Sequence, residues 1–563
     1  MRQLVIRNCS VLVVPETGEC RVDEAQDIYV QDGAIAAITD TGTPVAGRPP
    51  FARSADARSV SASQTDDHQS DAAPGAAGSV DARSGGAGSA DAGPGGAGSV
   101  GAGSADARWV DASSGGAGSA DAGPGGAGSV GAGSADARWV DASSGGAGSV
   151  DARSGSAGSV EVLDGSGLLA VPGLTNSHTH SPMVMMRGAA EDVSIDDWFN
   201  RKIWPMEVNL TPERVRVGAR LACAEMLLAG VTTFVDHYFH ADQIAEAALE
   251  SGIRADLAPT FFSSTGTEGR EAAFAAVREI RARGEAAANG HPPRVTASLG
   301  PHAPYTVTDE DLRRTAEVAR AEGLRIHLHA AETEDQTQSS IDRHGVTPIE
   351  VLARTGVLEA GALIAHGCGI READLALLAP FADRTAVACC PKVYLKLAMG
   401  STTPIKSLQS AGIPVGIGTD GAAVHNTLDL WESLRLVALT QKQREQNAEW
   451  MTVSDTLRLA TRGGATAAGL HYLTGALEPG RRADIALVDL SAPHHQPIHD
   501  ARASLVYSTR ASDVVHVVVD GNIVVRDRTL TTVDLAEILE DARTLAHTLV
   551  DLSANSTIQT YAP

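Results

Sequence analysis

The chain has 563 residues, 43% hydrophobic but only 4% aromatic, with 58 glycines and a formal net charge of −24. This length exceeds one typical domain and predicts two or more folding units, while so acidic a balance repels phosphate backbones and argues against nucleic acid as a partner. Six cysteines (Cys9, Cys20, Cys223, Cys368, Cys389 and Cys390) include no Cys-x-x-Cys pair, so no disulfide framework is expected.

The first stretch, MRQLVIRNCSVLVVPETGEC, lacks the apolar core and small-residue cleavage site of a signal peptide. No apolar run approaches the roughly 18 residues that span a bilayer. The expectation is a soluble cytoplasmic protein with no membrane partner. Residues 1–40 read as strands, QLVIRNCSVLVV and then DIYVQDGAIAAIT with Asp-Gly as a hairpin turn.

From 41 to about 160 Ala, Gly, Ser and Asp dominate, and ADARWVDASSGGAGSADAGPGGAGSVGAGS begins at Ala105 and again at Ala135. A solenoid is a poor account, because each unit offers one Trp (Trp109, Trp139) and too few branched residues to bury by stacking. Glycine does not recur every third residue, so collagen is excluded too. A flexible, disordered insertion in a loop of the N-terminal β-structure is the reading, tolerated because long surface loops cost little closure entropy.

Residues 161–172 resume the β-structure, and from 173 to about 465 short apolar runs alternate with helical stretches such as PERVRVGARLACAEMLLAG. The strand expectations are 174–180, 231–237, 254–262, 294–302, 324–332, 362–368, 385–391 and 413–420. Eight such strands predict a (β/α)8 barrel. Three further strands, 483–490, 503–508 and 514–527, are assigned to the β-structure, and 533–552 to an amphipathic helix. The fold class is therefore α/β: a TIM-like (β/α)8 barrel over 173–465, and a small composite β-sandwich from 1–40, 161–172 and 466–530. The 41–160 insertion interrupts the sandwich, and a helix and tail occupy 531–563.

In such a barrel, chemistry gathers where strands end. The polar residues there are His178 and His180, His237, His302, His327 and His329 with Glu332, His366, and Asp420. Alternate residues of a strand face the same way, so His178 and His180 can bind one cation together. His329 lies nearer its strand end than His327, which is placed one layer deeper. Three imidazoles, one carboxylate and an open position suit catalytic zinc.

Taken in order, PGLTNSHTH, HLHAAE, AHGC and GIGTDGAAVHNTLDL, with MRGAAEDVSIDDWFNRKIWPME and GPHAPYTV, resemble the amidohydrolase superfamily. The resemblance is to the branch of S-adenosylhomocysteine/methylthioadenosine deaminases, triazine chlorohydrolases, and guanine and 8-oxoguanine deaminases. It covers everything except the insertion. It implies one metal, zinc or alternatively iron or another divalent ion, on His178, His180, His329 and Asp420. It implies Glu332 as proton shuttle and His366 as the group orienting the water or the intermediate. It also implies that Asp420 would take the water's proton and that metal-bound hydroxide would attack. The fourth strand offers His302 and no lysine, so a mononuclear site is expected. Trp198 would cover the ligand, Glu207 would take ribose hydroxyls, and His302 would contact base or sugar.

The pattern departs from the branch at Val393 and Tyr394 in CPKVYLKL, at Val424 and His425 in TDGAAVHN, and in LAPTFFSSTGTEGR, which has no arginine before Arg270. The leading reading is deamination of an adenine nucleoside or related aminated heterocycle. The alternative is an amidase that trims a specialised metabolite. A triazine-type dehalogenase and a catalytically silent scaffold are minor readings. Glu332 weighs against dehalogenation, since chloride leaves without a proton. The partner is a small-molecule substrate, with a homo-oligomer open. Deleting 45–158 is expected to leave metal content and activity intact.

Overall fold

In the computed structural model, residues 2–43 and 160–562 are described. Most of the insertion, and with it the expectation of disorder, lies outside them.

The N-terminal strands are β1 (Gln3–Val13), β2 (Arg21–Gln31), β3 (Ala34–Asp40), β4 (Val160–Asp164) and β5 (Leu168–Pro172). The anticipated Asp-Gly turn forms between β2 and β3, with Asp32 at φ 48° and Gly33 at φ 83°. Both central residues of a two-residue hairpin need positive φ, which Asp and Gly tolerate. β4 and β5 both run parallel to β1, at its beginning and at its end.

The barrel strands follow: β6 (Leu174–Thr179), β7 (Val231–Tyr238), β8 (Arg254–Phe261), β9 (Val295–Ala297), β10 (Gly300–Pro301), β11 (Ile326–Ala330), β12 (Ala362–His366), β13 (Ala386–Cys389) and β14 (Val415–Ile417). All ladders among them are parallel. The fourth predicted strand is split into β9 and β10. The two halves of the ring join where Leu299 N donates to Arg325 O and His327 N to Leu299 O, both at 2.9 Å. The ring closes where Asp420 N donates to His178 O at 2.9 Å, and where Asn176 Nδ2 donates to Thr419 Oγ1 at 2.8 Å and Asn176 Oδ1 accepts from Thr419 N at 3.0 Å. Closure needs a bare backbone at Gly418: a Cβ there would stand 2.9 Å from His178 O and 3.0 Å from Cys390 Sγ.

The last strands are β15 (Ile485–Asp489), β16 (Val514–Val519), β17 (Asn522–Arg526) and β18 (Thr529–Leu530). With β1–β5 they form one continuous nine-stranded sheet, in the order β18-β17-β16-β15-β5-β1-β2-β3 with β4 also on β1. Where two stacked sheets are expected from the sequence, a single sheet curls around its own apolar cluster. Ile28, Val30 and Ile35 from one end share that cluster with Val518 and Ile523 from the other.

One expected strand is a helix. Residues Ala501–Tyr507 are helical, with the Asp500 side chain accepting from Arg502 N at 2.9 Å as the cap. The apolar run ASLVYS suggests a strand, but β15 already pairs with β5 on one side and β16 on the other, which leaves no edge beside it. The helix buries only Leu505 and Val506. The terminal amphipathic segment is helical over Leu535–Leu549. Among the described residues, no helix is long and apolar enough to cross a membrane.

Barrel and sheet are joined by a buried ion pair. Arg254, opening β8, donates from Nε and Nη2 to both Asp484 carboxylate oxygens at 2.8 and 3.1 Å, and both side chains are essentially inaccessible to solvent. Barrel and sheet pack closely at Gly230, where a Cβ would stand 3.1 Å from Ala486 Cβ and 3.3 Å from a Val514 methyl.

Candidate metal centre and substrate cavity

Each expected ligand sits where a barrel strand ends. His178 is in β6 and His180 just past it, His329 is in β11, His366 closes β12, and Asp420 follows β14. His366 and Asp420 take left-handed backbone, φ 71° and 63°. Such conformations cost about 1–3 kcal/mol and persist where the surroundings enforce them.

Hydrogen bonding behind the rings decides what they present to the centre. His180 Nδ1 lies 2.6 Å from His237 O, and His329 Nδ1 lies 3.0 Å from His302 O. A carbonyl only accepts, so each Nδ1 carries the proton and each Nε2 presents a bare lone pair. These two Nε2 atoms face each other at 3.3 Å, and His180 Nε2 lies 3.3 Å from Asp420 Oδ1. His178 Nδ1 is 2.9 Å from His327 Nε2, while His178 Nε2 is buried with no hydrogen-bond partner among the described residues. It stands 3.9 Å from Asp420 Oδ1.

Two lone pairs and a carboxylate therefore converge, with the unpartnered His178 Nε2 beside them. Ligands about 2.0–2.2 Å from a tetrahedral zinc lie roughly 3.3 Å apart, which is the spacing of His180 from His329 and from Asp420, with His178 slightly wider at 3.9 Å from Asp420. The donor set thus fits a divalent metal. His178, His329 and His366, and separately His178, His180 and Asp420, bring potential ligand atoms within 4.8 Å of one another, as do His180, His237 and His329.

The electrostatics agree. Burial pushes His180 to about 4 and His329 to about 3, and holds His178 well below the usual imidazole range. These rings are therefore neutral and free to ligate. Burial pushes Asp420 up to about 7, with the Gly421 N–H opposing it, and a cation at their focus would favour the ionised form.

Glu332 and His366 flank this centre. Glu332 Oε1 is 3.8 Å from His366 Nε2, which is itself 3.8 Å from Asp420 Oδ2. Burial raises the Glu332 carboxyl to about 7, the Gln336 hydrogen bond lowers it, and the Asp420 charge raises it again. Such a carboxyl is able to exchange a proton near neutrality.

Trp198, Glu207 and His302 line one cavity of about 40 Å³ together with His180, His329, Glu332, His366 and Asp420. Glu207 accepts from Tyr238 Oη at 2.7 Å, and burial pushes its carboxyl to about 8. His302 Nδ1 is 2.9 Å from Thr306 Oγ1. His237 also lines the cavity, and neither of its ring nitrogens has a hydrogen-bond partner among the described residues.

The departures from the deaminase pattern lie beside the site. His425 Nε2 is 2.9 Å from Ser433 Oγ, not in the cavity. Tyr394 Oη accepts from Cys390 N at 2.7 Å and lies 3.0 Å from Thr403 Oγ1, which donates to His366 O at 2.7 Å. Tyr394 thereby braces the backbone of His366. Nothing in the sequence marks Gln336 or Tyr561, yet Gln336 Nε2 donates to Glu332 Oε2 and to Tyr561 Oη, both at 3.0 Å. No local pattern could have found the second contact, because it spans 225 residues.

Residues 169–524 match the Amidohydrolase family. The chain is 39% identical over 389 residues to the 5-methylthioadenosine/S-adenosylhomocysteine deaminase of Pelotomaculum thermopropionicum, covering 69% of this chain and 88% of that one. Among solved structures, an adenosine deaminase from Xanthomonas campestris with bound zinc aligns at a TM-score of 0.71 and 25% identity, over 97% of this chain and 98% of that one. The fold is shared with a zinc-complexed atrazine chlorohydrolase from Arthrobacter aurescens, at a TM-score of 0.67 and 21% identity over 96% of this chain and 100% of that one. With strand-end histidines that fit a metal and a family match over most of the described barrel, the chain belongs to the amidohydrolase family and is a hydrolase of carbon–nitrogen bonds.

Proposed function

We propose that the protein is a zinc-dependent deaminase of adenine nucleosides, with residues 173–465 as the catalytic barrel and one ion held by His178, His180, His329 and Asp420. The observation that carries the reading is the convergence of two bare imidazole lone pairs and a carboxylate at 3.3 Å spacing, beside a buried carboxyl. The deaminase relatives support the choice of substrate class.

Zinc held by these residues would supply a Lewis acid that lowers the pKa of a coordinated water to near neutrality. The residues of the chain do the rest. Asp420 Oδ2, 3.8 Å from His366 Nε2, accepts the water's proton. Glu332 delivers a proton to the ring nitrogen beside the attacked carbon, with one oxygen tied to Gln336 and the other facing the site. His366 orients the attacking oxygen. Trp198 covers the base, with an indole N–H that has no partner among the described residues. Tyr238 occupies one Glu207 oxygen, which leaves the other for ribose hydroxyls, and His302 contacts base or sugar. Asp420 passes the water's proton to the departing amine and Glu332 recovers its own from the added hydroxyl, so ammonia leaves without any covalent enzyme intermediate.

The test is to incubate metal-loaded protein with adenosine, methylthioadenosine and S-adenosylhomocysteine, and to follow the absorbance change from adenine to hypoxanthine. Turnover of at least one is expected. Bound zinc without turnover of any would overturn the nucleoside reading and favour an amide substrate. A protein that binds no metal would overturn the metal centre itself.

A further inference from the structure

The segment after the helix Leu535–Leu549 returns across the barrel to the catalytic carboxyl. Asn200 clasps Tyr561 from both sides, with Nδ2 donating to Tyr561 O at 3.1 Å and Oδ1 accepting from Tyr561 N at 2.7 Å. Ile558 N donates to Trp204 O at 3.3 Å. Arg343 Nη1 donates to Ala562 O at 2.9 Å. The Tyr561 ring stacks on Phe199 at 4.6 Å and 14°, meets Tyr305 edge-on at 5.5 Å, and is only 5% exposed. Phe199 and Tyr305 also line the cavity that holds Glu332.

The hydroxyl of this docked tyrosine has a defined use. Gln336 Oε1 accepts from Glu332 N at 3.2 Å, which orients the amide so that Nε2 faces the other way. Nε2 has two hydrogens, and both are spent: one on Glu332 Oε2 and one on Tyr561 Oη, each at 3.0 Å. With Tyr561 in place, the amide cannot rotate without losing three bonds. Glu332 is then held by one oxygen and by its own backbone N–H, and its other oxygen faces His366.

We propose that Tyr561 is a positioning residue for Glu332: the segment 552–562 docks beside the cavity and, through the Tyr561 hydroxyl, fixes the Gln336 amide that aims the carboxylate. Tyr561 does not line the cavity and acts only through Gln336. The role in turnover rests on the deaminase reading above, whereas the coupling from Tyr561 to the Glu332 backbone does not.

The test is a cycle of Tyr561→Phe, Gln336→Ala and the double variant in the full-length, metal-loaded protein. Phenylalanine keeps the stack on Phe199 and removes only the hydroxyl. For one neutral hydrogen bond, Tyr561→Phe should lower kcat about three- to ten-fold and leave KM within about two-fold. In the Gln336→Ala background the same change should have almost no further effect, because the two side chains share one pathway. Hydrogen–deuterium exchange supplies a readout independent of turnover. The Glu332 amide should exchange about three-fold faster or more in Tyr561→Phe, while protection of 552–562 stays as in the wild type. Unchanged exchange at Glu332, or losses in kcat that multiply in the double variant, would overturn the proposal. If the wild type turns over no adenine nucleoside, the deaminase reading fails, and exchange at Glu332 still decides this one.

Discussion

His180 and His329 each spend Nδ1 on a backbone carbonyl, and this fixes the tautomer that a metal requires. His178 is backed by an imidazole instead, with its Nδ1 2.9 Å from His327 Nε2 inside the barrel, which holds the ring's orientation. Partners of this kind behind a ligand are worth about 10–100-fold in metal affinity. His327→Phe should therefore weaken zinc binding by that factor, measured by competition with a chelator; unchanged affinity would remove His327 from the metal's support. Glu332→Gln should keep its zinc by elemental analysis and lose about 10²–10⁴-fold in turnover, the usual worth of a positioned acid. Full activity in that variant would refute the shuttle. At this scale the sequence was informative because alternation on a strand is a local rule: His178 and His180 had to share a face, and His327 had to lie deeper than His329. The tautomers were not legible, since each is set by a carbonyl on a neighbouring strand.

Among elements, the Asp-Gly hairpin between β2 and β3 and the eight barrel strands were readable from period and turn chemistry. The segment 503–508 was not, because its apolar content suits either state and the occupied edges of β15 decided the outcome. The Arg254–Asp484 pair lies at the same scale and joins two elements 230 residues apart. Removing Asp484 leaves the buried Arg254 with only partial compensation, from Asp520 Oδ1 at 3.4 Å, so Asp484→Ala should cost about 3 kcal/mol in denaturant unfolding. Burial alone would raise the Asp484 carboxyl, but Arg254 outweighs it and holds the group below the ordinary carboxylate range. A depressed folded value stabilises above the unfolded pKa of about 3.9 and is lost as the pH falls below that, through the folded value. The stability deficit of Asp484→Ala relative to the wild type should thus be complete above about pH 4 and shrink in stronger acid. A deficit independent of pH would show that packing, not charge, makes the link.

For the whole molecule, the sheet sets what the insertion must span. Asp40, ending β3, lies opposite Gln26, which pairs with Cys9, whereas Val160, opening β4, pairs with Gln3 at the other end of β1. Six residues along β1 and three strand spacings across give about 24 Å between the two ends. Excising 45–158 would leave five residues, with a reach of about 20 Å. That excision should destabilise the sheet edge. Replacing 45–158 with about 12 Gly/Ser residues should preserve zinc content, kcat and melting temperature. A loss of activity in the replaced protein would assign the repeats a part in function.

The sequence by itself determined the strand-end histidines, the carboxylates beside them and the order in which the barrel is built, because alternation, turn chemistry and motif order act within a few residues. Only the tertiary structure decided that the β-structure is one curled sheet and that 501–507 is a helix, and only it brought Tyr561 to the partner of Glu332. These depend on which edges and surfaces stay vacant after distant parts of the chain have packed, and no short-range pattern encodes that.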